Sequence, residues 1–142
     1  YDNGRAEKYD VEAMIAYCFE TLGIKELWVI GWSFGTSIAI SHARDPRVKG
    51  LILLSPTLLE IVDSDLEFWG TDGRPVIALI PEHDDYLKPE QARLRFSVIP
   101  QTKLIAVAGA KHLWVGEPFV HRVLSEIIEV IAPQRLPLPI EI

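Results

Sequence analysis

The stretch ELWVIGWSFGTSIAI, residues 26–40, decides how this chain is read. Leu27 to Ile30 form a continuous, partly β-branched apolar run, the pattern of a strand covered on both faces. Gly31-Trp32-Ser33-Phe34-Gly35 interrupts that run, and the residues from Thr36 onward are small or apolar and suit a helix packed against the strand. By composition alone a Gly-x-Ser-x-Gly match arises in roughly 1 of 20 chains this long, so the weight lies on its context. A serine on a sharp strand-to-helix turn is held in a strained conformation that pushes its Oγ clear of the backbone. Gly31, Gly35, Thr36, Ser37 and Ala39 suit the crowding that such a turn imposes. The following helix directs its first N–H groups toward the same point, where they stabilise developing negative charge. The donor next to Ser33 is the N–H of Phe34. These features make Ser33 a candidate nucleophile.

Outward from this stretch, strands and helices alternate. Val11, Met14, Ile15, Cys18, Phe19 and Leu22 recur at helical spacing and stop at Gly23, which predicts a helix with a glycine C-cap. Residues 36–44 read as a helix ending before Pro46, and residues 48–56 as a second buried strand. The segment 57–74 mixes apolar, acidic and glycine residues and reads as a short helical excursion or loop over the sheet. Residues 75–81 and 103–109 supply two more strands, separated by a helix over 88–96 with Pro89 near its first turn. Val120, Val123, Leu124, Ile127, Ile128 and Ile131 predict a last helix with one apolar face. The expected fold class is α/β, a mostly parallel sheet with helices on both faces. One domain spans 1–132, and residues 133–142 form a proline-containing tail.

A serine nucleophile needs a base, and four histidines are available. His42 and His121 fall within predicted helices, and His83 lies beside carboxylates at a strand end. His112 follows the last strand in a glycine-containing loop, at the carboxyl edge where Ser33 also lies if the strands are parallel. Asp84 and Asp85 follow the third strand, and adjacent residues on an extended loop point opposite ways, so only one can face His112. Asp85 is the first choice, Asp84 the alternate and Glu82 a distant third. Trp32, Phe34, Leu58, Leu59, Trp69, Leu113 and Trp114 lie near the proposed site in sequence. Of these, Trp32, Leu58, Trp69 and Trp114 are taken as the substrate pocket, and Leu113 is the one most expected in the core.

Composition narrows the alternatives. The 142 residues carry a net charge of −6, which gives no basic footprint for nucleic acid. Cys18 is the single cysteine, so an internal disulfide and a multi-cysteine metal site are excluded. No run reaches the roughly 20 apolar residues of a membrane span, and the charged N-terminus does not read as a signal peptide. A cytoplasmic protein is expected.

The order Ser33, Asp85, His112 resembles the nucleophile–acid–base order of the α/β-hydrolase superfamily. GWSFG resembles that family's nucleophile elbow, EHDDYLKP its acid loop, and AGAKHLW its histidine loop. In the family an aspartate typically precedes a proline by four positions, as Asp85 precedes Pro89, although its glycine three residues before the acid is Glu82 here. The resemblance implies a serine hydrolase of esterase type with a Ser-His-Asp catalytic triad, acting on a small-molecule acyl substrate, a carboxylic ester or related compound, with no metal or cofactor required. It covers the C-terminal part of the fold, and the first strands and the loop that supplies a second oxyanion N–H have no counterpart upstream. YDNGR, residues 1–5, is similar to the end of the strand that precedes the first helix. The strand over 27–30 would then be an open apolar edge, covered by a second copy of the chain or by a preceding segment. The alternative reading is a hydrolase-like binding or interaction module without activity.

Overall fold

A computed structural model describes residues 6–139, so the resemblance drawn for residues 1–5 lies outside the described residues, as do residues 140–142 of the tail. Helix α1 (Glu7–Ala16) continues through a wider helical turn over Tyr17–Thr21. It is followed by β1 (Leu27–Trp32), α2 (Phe34–His42), β2 (Val48–Leu54), α3 (Asp63–Asp72), β3 (Val76–His83), α4 (Pro89–Arg95), β4 (Lys103–Lys111) and α5 (Glu117–Ile131). The four strands are parallel and lie in the order β1-β2-β3-β4. When parallel strands are added in one direction, right-handed crossovers place every connecting helix on the same face. Here α2, α3 and α4 share one face, where Ile40, Leu66, Trp69 and Ala92 pack with Leu51, Leu53, Ala78 and Ile80. The alternate strand residues Ile52, Ile77 and Leu79 point the other way and meet Val123 of α5. Leu51, Ile52, Leu53, Leu79 and Ile80 are fully buried, each contributing about 1.5–3 kcal/mol. Helices on both faces explain why these strands read as unbroken apolar runs.

Two expectations are refined. The segment 57–74 contains a helix of 10 residues, α3, which stops at Gly73 with φ 81°. Its Trp69 is fully buried and donates its indole N–H to the Ile40 carbonyl at 2.8 Å. Strands β1 and β4 run past their apolar stretches because the ladders continue, Trp32 opposite Leu54 and Lys111 opposite His83. No helix among the described residues is long and apolar enough to cross a membrane.

Among the described residues, β1 has no strand on its outer side. A groove of about 350 Å³ runs there between α1 and β1, lined by Val11, Met14, Cys18, Leu27, Trp28 and Ile30. Met14 and Leu22, expected on the buried stripe of the first helix, are exposed. Such an edge offers free backbone donors and acceptors to another strand. Light scattering of the 142-residue chain is expected to give a mass above that of one chain. Ile30→Lys, which sets a charge on the edge, is expected to shift the population toward monomer, and an unmodified chain that stays monomeric at all concentrations would refute edge pairing.

Candidate active site

β1 and α2 meet at Ser33, which has φ 53° and ψ −122°. A non-glycine residue in so sparsely populated a region costs about 1–3 kcal/mol. The turn is fastened on both sides: the Ser33 N–H donates to the Leu54 carbonyl of β2 at 2.9 Å, and its carbonyl accepts the Thr36 N–H at 3.0 Å and the Thr36 hydroxyl at 2.6 Å. Phe34 is the first residue of α2, so its N–H is one of the four that an α-helix leaves without an intrahelical acceptor.

The two motif glycines differ in what they do. A Cβ on Gly31 would lie 2.5 Å from the Gly35 carbonyl oxygen and 2.8 Å from the Thr36 Cα, both backbone atoms. A Cβ on Gly35 would meet nothing within 4 Å. The crowding expected of both belongs to Gly31 alone, because β1 runs directly under the first turn of α2 while Gly35 presents its open side outward.

The C-terminal ends of three further strands converge on the same point. His112, one residue beyond β4, places Nε2 at 2.8 Å from Ser33 Oγ and Nδ1 at 2.9 Å from Asp84 Oδ2. His112 is 8% exposed and Asp84 1%. The other Asp84 oxygen, Oδ1, accepts the backbone N–H groups of Tyr86 (2.8 Å) and Leu87 (3.1 Å). A carboxylate is an acceptor, so Nδ1 carries the proton in this arrangement and Nε2 is left to accept the Ser33 hydroxyl. The Tyr86 ring lies 4.7 Å from the His112 ring, tilted by 53°.

The carboxylate beside His112 is therefore Asp84, and the first choice, Asp85, is corrected. Asp85 is exposed, because the chain turns tightly after β3 and the turn is closed on the side chain of Asp84 through the N–H groups two and three residues later. The interval to Pro89 does not measure that turn. Glu82 faces outward and accepts the Gly109 N–H at 2.7 Å. His83 is exposed, and His42 and His121 lie on α2 and α5.

The expected pocket is corrected too. Trp69 lies in the core beneath α2, and Leu58 and Trp114 are buried. At Trp114 a turn closed by its N–H on the Lys111 carbonyl, with φ 53°, carries its ring inward, while Leu113, expected in the core, is exposed. Trp32 remains half-exposed beside the site and donates its indole N–H to the His112 carbonyl at 3.3 Å. Phe34, Leu59, Tyr86 and Leu113 are exposed as well. A cavity of about 800 Å³ opens next to Phe34 and is lined in part by Ser37, Ser41, His42, Glu60 and Asp65. Two residues escaped the sequence reading. Tyr86 follows the aspartate pair and was open to discovery; Ser55, whose hydroxyl donates to the His112 carbonyl at 2.9 Å, carries no local signal.

Solved structures share this architecture. An α/β serine hydrolase homologue from Coxiella burnetii is 24% identical with a TM-score of 0.67, over 94% of this chain and 61% of that one. An esterase from Pyrococcus furiosus is 18% identical with a TM-score of 0.75, over 91% of this chain and 62% of that one. Est1E from Butyrivibrio proteoclasticus, in a structure with ferulic acid bound, is 15% identical with a TM-score of 0.69, over 88% and 68%. No protein-family model matches the sequence, and no curated protein matches it. The fold is the α/β-hydrolase fold, and the chain spans about three fifths of the length of the Coxiella and Pyrococcus proteins.

The glycine asymmetry has a measurable consequence. Gly31→Ala is expected to lower stability by about 3 kcal/mol or to prevent folding, since backbone must move to admit the methyl group. Gly35→Ala, in open space on a helix, is expected to keep or raise stability, by up to about 1 kcal/mol. Equal losses in urea unfolding would contradict this placement.

Proposed function

We propose that this protein is a serine hydrolase that cleaves a carboxylic ester or a related acyl compound. The observation that carries the reading is the hydrogen-bonded series Ser33–His112–Asp84, joined to a serine on a strained strand-to-helix turn. Ser33 Oγ attacks the acyl carbonyl while its proton passes to His112 Nε2, and the N–H of Phe34 stabilises the oxyanion. Asp84 holds the imidazole in the tautomer that accepts this proton and stabilises the cation that results. Collapse of the intermediate breaks the bond to the leaving group, which takes the proton from His112. Water then attacks the acyl-serine with His112 again acting as base, restoring the free serine and releasing the acid.

The solved neighbours support the same chemistry: one is a serine hydrolase homologue, another an esterase, and a third was solved with ferulic acid bound. Trp32 and Phe34, which flank Ser33, and Leu113, which follows His112, are exposed apolar side chains, which favours uncharged acyl groups. Nitrophenyl esters of graded chain length are expected to be cleaved in preference to esters of charged acids.

A fluorophosphonate probe tests the reading. The wild-type chain is expected to be labelled, and Ser33→Ala and His112→Ala are expected to lose labelling and turnover. Absence of wild-type labelling would leave a hydrolase-like binding module instead. Asp84→Asn is expected to lower kcat by about 10³–10⁴-fold by presenting the wrong tautomer, whereas Asp85→Asn should leave it near the wild-type value. The reverse ranking would return the acid role to Asp85.

A further inference from the structure

We infer that Ser55 is a positioning residue for the chemistry at Ser33, an inference that rests on the hydrolase reading. Ser55 is the first residue after β2 and is fully buried, with φ 46°. Its N–H donates to the Leu79 carbonyl of β3 at 3.0 Å, and its hydroxyl donates to the His112 carbonyl at 2.9 Å. That carbonyl also accepts the Trp32 indole N–H. Both lone pairs of the His112 carbonyl are thus taken by side chains, one from the end of β1 and one from the end of β2.

Glycine would adopt a positive φ at this position without steric cost. The chain carries a serine there instead and sustains the backbone strain, and the gain it retains is a hydroxyl on the His112 carbonyl. The His112 ring must reach Ser33 and Asp84 at once, at 2.8 and 2.9 Å. Its own segment, just beyond β4, is otherwise a turn followed by the exposed Leu113. Ser55 fixes the backbone from which the imidazole projects, so that both ring nitrogens stay in register with their partners.

The experiment compares wild type, Ser55→Ala and Ser55→Gly in the full chain, by steady-state hydrolysis of p-nitrophenyl acetate, fluorophosphonate labelling rate and thermal unfolding. Misplacement of a reacting group by about 1 Å costs on the order of 10²-fold in rate, so both variants are expected to lose roughly 10- to 100-fold in kcat and in labelling rate, with KM little changed. The two variants should share that loss while differing in Tm, because glycine relieves the strain at φ 46° that alanine keeps. A role in stability alone would make rate follow Tm. Wild-type kcat in the folded variants would overturn the inference and leave the hydrolase reading standing, as would a raised KM at unchanged kcat. If Ser55→Ala does not fold, Ser55→Gly decides by the same criteria. A wild-type chain with neither labelling nor turnover would overturn the hydrolase reading and this inference together.

Discussion

The close approach of β1 and α2 at Gly31 is the constraint on which the rest of the site depends. The backbone of the Gly35–Thr36 segment lies so near Gly31 that a methyl group has no room. That proximity forces the chain to reverse within one residue, and Ser33 takes the strained conformation that accomplishes the reversal. The strain persists because hydrogen bonds on both sides over-determine it, from Leu54 below and Thr36 above. One tight junction thereby sets the position of the Ser33 hydroxyl and the direction of the α2 N-terminus.

Parallel pairing supplies the remaining groups. All four strands point the same way, so each ends at one edge of the sheet and hands its following loop to the same region. Trp32 comes from β1, Ser55 from β2, Asp84 from β3 and His112 from β4. Each binds another member of the set: Asp84 and Ser33 hold the ring of His112, while Ser55 and Trp32 hold its backbone. Tyr86 lies against the ring. Burial of Asp84 and His112 strengthens these contacts, since water competes poorly for groups so enclosed.

The alternation of apolar runs and helical stripes was sufficient to predict the sheet, its parallel sense and the edge at which a site would form. Ser33 and His112 were legible for a related reason: each sits where a local pattern changes, strand to helix in one case and strand to glycine-containing loop in the other. The choice between Asp84 and Asp85 was not legible. It turns on the path of a few backbone atoms after β3, and a spacing to Pro89 does not encode which carboxylate closes that turn. The tryptophans misled for a similar reason, because Trp69 and Trp114 are as apolar as any pocket residue and only packing sends them into the core.

The sequence by itself determined the four strands, the helices outside residues 57–74, their order and the serine and histidine that meet, because periodicity and glycine placement act over a few neighbouring residues. The tertiary structure alone decided that Asp84 rather than Asp85 reaches His112, that Gly31 rather than Gly35 is sterically required, and that Ser55 holds the histidine from 57 residues away. These outcomes depend on distances between segments remote in the chain. Such distances are set by strand pairing and core packing together, and no local pattern records them.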